Sequence, residues 1–89
     1  MRITVKFLGS LRFEIGTPVL ELDLDGEDKS VKDVIEKIIE IKGEKVKRRI
    51  LYKDGGIGVI LVLNGKRCSL DEKVKEGNEL LMMAPISGG

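Results

Sequence analysis

The sequence predicts one small α+β domain, a mixed β-sheet with a single main helix packed across it. Three observations carry that expectation. Apolar and polar residues alternate in two stretches, with Ile3, Val5 and Phe7 and then Leu20, Leu22 and Leu24 in phase, which is the period of half-buried strands. One central stretch, Val31 to Lys42, repeats at helical spacing instead. Finally, 89 residues with 42% hydrophobic content suffice for one core, because a chain this short buries only about 60% of the surface it exposes when unfolded.

The first strand is expected over Arg2 to Leu8. Gly9 and Ser10 loosen the chain, Leu11 to Glu14 fit either strand or helix, and Gly16-Thr17-Pro18 signals a turn. From Val19 the alternation resumes as the second arm of a hairpin that Asp25-Gly26 closes. Ser30 has the chemistry of a helix N-cap, and Asp33 three residues on makes a capping-box variant. Val31, Val34, Ile35, Ile38, Ile39 and Ile41 form a stripe of six aliphatic side chains expected to be buried. Gly43 stands where a left-handed cap would end the helix. No other stretch is convincingly helical; Glu44 to Lys53 fits a second short helix or an extended crossing segment. Gly58 to Leu63 reads as a strand, Asn64-Gly65 as a tight hairpin turn and Lys66 to Ser69 as the return strand. Leu70 to Lys75 suggests one helical turn, Gly77-Asn78 a tight turn, and Leu80 to Ala84 a last apolar strand that Pro85 ends. Two strands, a helix and three more strands is the order of the β-grasp fold, whose first and last long strands lie side by side and parallel. The domain is expected over 1–84, followed by a flexible tail over 85–89.

Composition excludes much chemistry. There is no histidine, which removes the commonest general base, the commonest metal ligand and every Ser-His or Cys-His pair. A single cysteine, Cys68, rules out an intrachain disulfide and a thiolate zinc cluster, and reads as a small half-buried strand residue. Glu14 with Glu21, or Asp71 with Glu72, could be imagined as carboxylate pairs, but nothing in their spacing places them in a pocket. Lys plus Arg number 16 against 15 for Asp plus Glu, and only three residues are aromatic, so neither nucleic acid nor an anionic membrane is an expected partner. The basic run Lys45, Lys47, Arg48 and Arg49 reads as a solvated face, with docking onto an acidic surface of a partner as the functional alternative. With no signal peptide and no apolar run near 18 residues, the expected location is the cytoplasm. A carrier or binding module fits this inventory better than an enzyme with its own catalytic site, and no bound cofactor or metal is expected.

The sequence closes on Gly88-Gly89, a pair expected by chance about once in 200 chains. Glycines make a thin thread that can enter a narrow channel in another protein. A carboxylate at its end is inert until a leaving group is attached; ATP-dependent adenylation would supply one, and a sulfur or amine nucleophile could then take the acyl group. Leu80, Leu81, Met82 and Met83 are apolar at successive positions, so two of the four must point away from the helix. Either loops or the Glu44 to Lys53 segment cover that second face, or Leu81 and Met83 belong to an exposed patch leading into the tail, which partners use in turn.

Several segments carry a resemblance that spans essentially the whole chain. Arg2-Ile3-Thr4-Val5-Lys6-Phe7-Leu8, Leu11-Arg12-Phe13-Glu14-Ile15-Gly16, Ser30-Val31-Lys32-Asp33-Val34-Ile35, Val62-Leu63-Asn64-Gly65, Lys75-Glu76-Gly77-Asn78-Glu79-Leu80 and above all Pro85-Ile86-Ser87-Gly88-Gly89 resemble the MoaD family. MoaD is the ubiquitin-like sulfur-carrier subunit of molybdopterin synthase; the chain is similar, more distantly, to ThiS, Urm1 and the archaeal small modifiers. Asn78 stands where the family usually has Asp, and Ala84 where it often has a first proline. The resemblance implies that Gly89 is the point of covalent attachment, adenylated by a ubiquitin-activating-type adenylyltransferase that uses ATP, then converted to a thiocarboxylate with a sulfur donor. It implies that the sulfur goes to a pterin precursor on the larger molybdopterin synthase subunit, with Pro85, Ile86, Ser87 and Gly88 as the tail that reaches the site. The open alternatives are a protein modifier joined through Gly89 to lysines, a sulfur carrier for tRNA thiolation or thiamine synthesis, and a non-covalent interaction module.

Overall fold

Residues 1–54 and 56–85 are described by a computed structural model of the chain. The alternating stretches form strands, and their registers fix a five-stranded mixed sheet. β1 (Arg2–Leu8) pairs antiparallel with β2 (Val19–Asp23) and parallel with β5 (Glu79–Met83), so the first and last strands are neighbours at the centre. β5 pairs antiparallel with β3 (Ile60–Leu63), which pairs with β4 (Lys66–Arg67), giving the order β2-β1-β5-β3-β4. With α2 (Val31–Lys42) packed across it, this is the ubiquitin-like β-grasp arrangement.

The core lies between one sheet face and the helices. Ile3, Val5, Phe7, Leu22, Leu61, Leu63, Leu80 and Met82 alternate inward along the strands and are buried against Val31, Val34, Ile35 and Ile38 of α2. The capping box forms: the Ser30 backbone N–H donates to the Asp33 carboxylate at 2.8 Å, and the Ser30 hydroxyl donates to the same oxygen at 3.1 Å. The stripe is narrower than expected. Ile39 is only partly buried and Ile41 is 52% exposed, because it sits in the last turn, where packed elements no longer cover the helix.

Other departures have local causes. α2 is not the only helix. Leu11 to Ile15 forms α1, whose Leu11 and Ile15, four apart, both enter the core; β1 and β2 are thus joined through a helical turn rather than by the turn residues alone. Glu44 to Ile50 forms α3, which buries Val46 and Ile50 by the same spacing. Gly43, at φ 93°, joins α2 to α3 and donates its N–H to the Ile39 carbonyl at 2.7 Å. Leu70 to Lys75 is not a helical turn. Its carbonyls are taken by the free N–H groups at the start of α2, with Val31 donating to Glu72 and Lys32 to Leu70 at 2.9 and 3.0 Å. β3 begins at Ile60 rather than Gly58, because the Gly58 N–H donates to the Ile50 carbonyl at 2.6 Å. A side chain at position 58 would lie 3.0 Å from the Arg49 carbonyl, so the close approach needs glycine. The return strand stops at Arg67; a short, charged edge strand resists pairing with other chains.

Candidate functional site

Because β1 and β5 are parallel, their C-terminal ends reach the same side of the sheet, where Leu8 pairs with Met83. Pro85 follows, exposed, and with Leu8, Gly9, Ser10, Met83 and Ala84 it lines a concavity of about 360 Å³. Ile86, Ser87, Gly88 and Gly89, the expected tail and attachment point, lie outside the described residues.

The helix-free face of the sheet leads to this end. Side chains on a strand alternate between faces, so the residues out of phase with the core point here. The registers set Lys6 between Val19 and Leu81, Leu81 beside Val62, and Met83 between Leu8 and Ile60. Leu81 and Met83 therefore sit in an apolar patch with Leu8, Ile60 and Val62, with Lys6 between Leu81 and Val19 at its border. Leu8 and Val19 are 39% and 38% exposed, and Leu81, Met83, Ile60 and Val62 are half-buried. The Glu44 to Lys53 segment does not cover them, since α3 packs Val46 and Ile50 into the core on the other side. The far half of the same face is polar. Arg2 pairs with Asp23 at 3.1 Å, Lys6 with Glu79 at 3.0 Å, and the Thr4 hydroxyl donates to Glu21 at 3.0 Å. Arg2 thereby holds the Asp23 carboxyl below its usual range, through the hydrogen bond first and its charge second.

The remaining candidates do not assemble into a reactive site. Glu14 is ion-paired with Arg49 and Glu21 accepts from Thr4, so these carboxylates belong to different neighbourhoods. Asp71 and Glu72 are exposed on the segment before β5. Burial, reinforced by the charge of Glu72, pushes the Cys68 thiol up, which keeps it protonated and a poor nucleophile. Among the described residues no three His, Cys, Asp or Glu side chains are grouped to hold a metal, and no helix is long and apolar enough to cross a membrane. Leu8 and Val19 were not among the expected patch residues. The signal for them lay in the same alternation, since each is out of phase with the inward residues of its own strand.

No protein-family model matches the chain, and no curated protein does. Solved structures do. The chain is similar to small archaeal modifier protein 1 from Haloferax volcanii, at 25% identity over 100% of both chains and a TM-score of 0.88. It is similar to a putative molybdopterin converting factor subunit 1 from Pyrococcus furiosus, at 28% identity over 97% of this chain and 99% of that one, with a TM-score of 0.79. Small archaeal modifier protein 1 from Methanosarcina acetivorans matches at 27% identity, covering 99% of this chain and 96% of that one, with a TM-score of 0.79.

Proposed function

We propose that this chain, similar over essentially its whole length to small archaeal modifier proteins and to a putative molybdopterin converting factor subunit 1, is a sulfur carrier loaded at Gly89. The observation that carries this reading is the end-to-end likeness to the putative molybdopterin converting factor subunit 1 from Pyrococcus furiosus, over 97% of this chain and 99% of that one. The apolar patch supports it: Leu81 and Met83 flank the strand end from which Pro85 leads toward Gly89. A partner gripping that patch is held beside Pro85, next to the strand end.

In this reading the Gly89 carboxylate attacks the α-phosphorus of ATP on a ubiquitin-activating-type adenylyltransferase, releasing pyrophosphate. A sulfur nucleophile then displaces AMP to leave a thiocarboxylate. The sulfur is passed to a pterin precursor on a larger molybdopterin synthase subunit, an assignment supported by the Pyrococcus furiosus likeness. The carrier contributes the reactive carboxyl and its delivery, and the partners contribute the catalytic groups.

The two likenesses to proteins described as small archaeal modifiers favour a second reading, in which a lysine amine takes the same acyl group and forms an isopeptide bond. Incubation with ATP, a sulfur donor and the cognate activating enzyme distinguishes the two by intact mass. The carrier reading expects the mass gained when one oxygen is replaced by sulfur, followed by sulfuration of a pterin in a reconstituted synthase. Lysine-linked remnants in cell digests, with no thiocarboxylate formed by a demonstrably active enzyme, would replace it with the modifier reading.

A further inference from the structure

We propose that the groove between α1 and α3 is a second docking surface, which takes an acidic peptide segment carrying an apolar anchor. This inference does not rest on the fate of Gly89.

Phe13 carries the first part of the case. It is 79% exposed, whereas Phe7 is 1% exposed and Leu11 and Ile15, its neighbours in α1, are buried. A lone exposed phenylalanine is ordinary, but this one forms the wall of a groove of about 410 Å³. The groove has Ile15 and Val46 among its lining residues, both nearly buried, so an apolar side chain entering it would meet hydrocarbon on more than one side. The Arg12 guanidinium lies 5.3 Å from the Phe13 ring centroid, which steadies the ring by a cation–π contact.

Charge supplies the second part. Lys45, Arg48 and Arg49 line the groove from α3, at spacings of three and four that place them along one side of that helix. Glu14, the one carboxylate lining the groove, is ion-paired with Arg49. Among the described residues Lys45 and Arg48 have no carboxylate within ion-pair distance, although five other cations besides Arg49 do. The groove is therefore apolar at its floor and carries two free positive charges on one wall. Its complement is a leucine- or aromatic-anchored segment with carboxylates beside the anchor. A nucleic acid fits less well, because the chain is nearly neutral overall and the groove presents a single aromatic ring.

α1 and α3 send Leu11, Ile15, Val46 and Ile50 into the core, so the groove opens on the helix side of the sheet, opposite the Leu81 and Met83 patch. Both surfaces can be occupied at once.

The test uses the full isotope-labelled chain and a short synthetic peptide of alternating glutamate pairs and leucines. Amide shifts are expected in α1 and α3 and not on β3 and β5, with binding that weakens as salt rises. Phe13→Ser, and separately the double variant Lys45→Glu with Arg48→Glu, should each weaken binding by about tenfold or more while leaving the thermal melt near native. Because the two variants remove different contacts, either one carries the test if the other unfolds. Absence of shifts, shifts confined to the sheet face, equal binding of a peptide with lysine in place of glutamate, or tighter binding of oligouridine at the same amides would overturn the proposal.

Discussion

The two faces of the sheet come from the same strands, yet they obey different rules. On the helix side every strand residue that points inward from β1, β3 and β5 is a large aliphatic, aromatic or thioether side chain and is buried: Ile3, Val5, Phe7, Leu61, Leu63, Leu80 and Met82. On the open side the residues one position out of phase divide in two. Arg2, Thr4, Lys6, Glu21, Asp23 and Glu79 make a polar half, and Leu8, Val19, Ile60, Val62, Leu81 and Met83 an apolar half toward the end where Pro85 emerges, with Lys6 at the border between Val19 and Leu81. Folding accounts for the first face, since a fully buried side chain of this size contributes up to about 1.5–3 kcal/mol. It does not account for the second. The polar half shows that the open face tolerates charge, so the apolar half is not a requirement of the fold, and we propose it as the surface that partners bind.

Substitutions that separate the faces should have unequal effects. The largest is expected at Ile35, 1% exposed under the sheet: Ile35→Asp strips a carboxylate of water with no partner. Its cost should exceed about 4 kcal/mol, most of the stability of a domain this small, and abolish the cooperative thermal transition. Adjacent residues of β5 give the sharper comparison. Leu80 is fully buried and Leu81 half-exposed on the other face, so Leu80→Ala should cost about 2–5 kcal/mol and Leu81→Ala under about 1.5 kcal/mol in urea unfolding. Equal costs would mean that the open face is covered after all.

The smallest effect concerns the helix that makes the first face. The Ser30 backbone N–H, bonded to the Asp33 carboxylate, holds that carboxyl below its usual range. A folded-state pKa below the unfolded one adds stability that is present above the ordinary carboxylate range and is lost as pH falls through the folded pKa. Asp33→Asn should therefore lower stability near neutral pH by about 0.5–1 kcal/mol and flatten the loss on acidification, as read from melts across the acid range.

Strand periodicity and capping chemistry were legible in the sequence because they depend on neighbours two to four residues away. α2 runs from Val31 to Lys42, the stretch marked by Ser30, the aliphatic spacing and Gly43, and β1 and β5 are parallel neighbours as the element order implied. The misplaced pieces depend on partners distant in the chain. Leu70 to Lys75 looks helical alone, but its carbonyls serve the start of α2 some forty residues earlier. Gly58 continues an apolar run, but it is pinned to the end of α3. At the candidate site, alternation placed Leu81 and Met83 on the open face without saying what neighboured them. Leu8 and Val19 joined that patch only once the registers of β1 with β2 and β5 were fixed.

We propose that the apolar half of the open face holds the partners that receive the tail. Met83→Asp tests it most directly, because Met83 lies between Leu8 and Ile60 beside the strand end and points away from the core. The measurement is a competition pull-down in which this variant and the native chain compete for the activating enzyme and then for the larger synthase subunit, with a thermal melt of each. The expected result is a near-native melt with binding to both partners weakened by about tenfold or more, and no ternary complex formed by the native chain. A folded variant that binds both partners as tightly as the native chain, or a native chain that holds both at once, would contradict it.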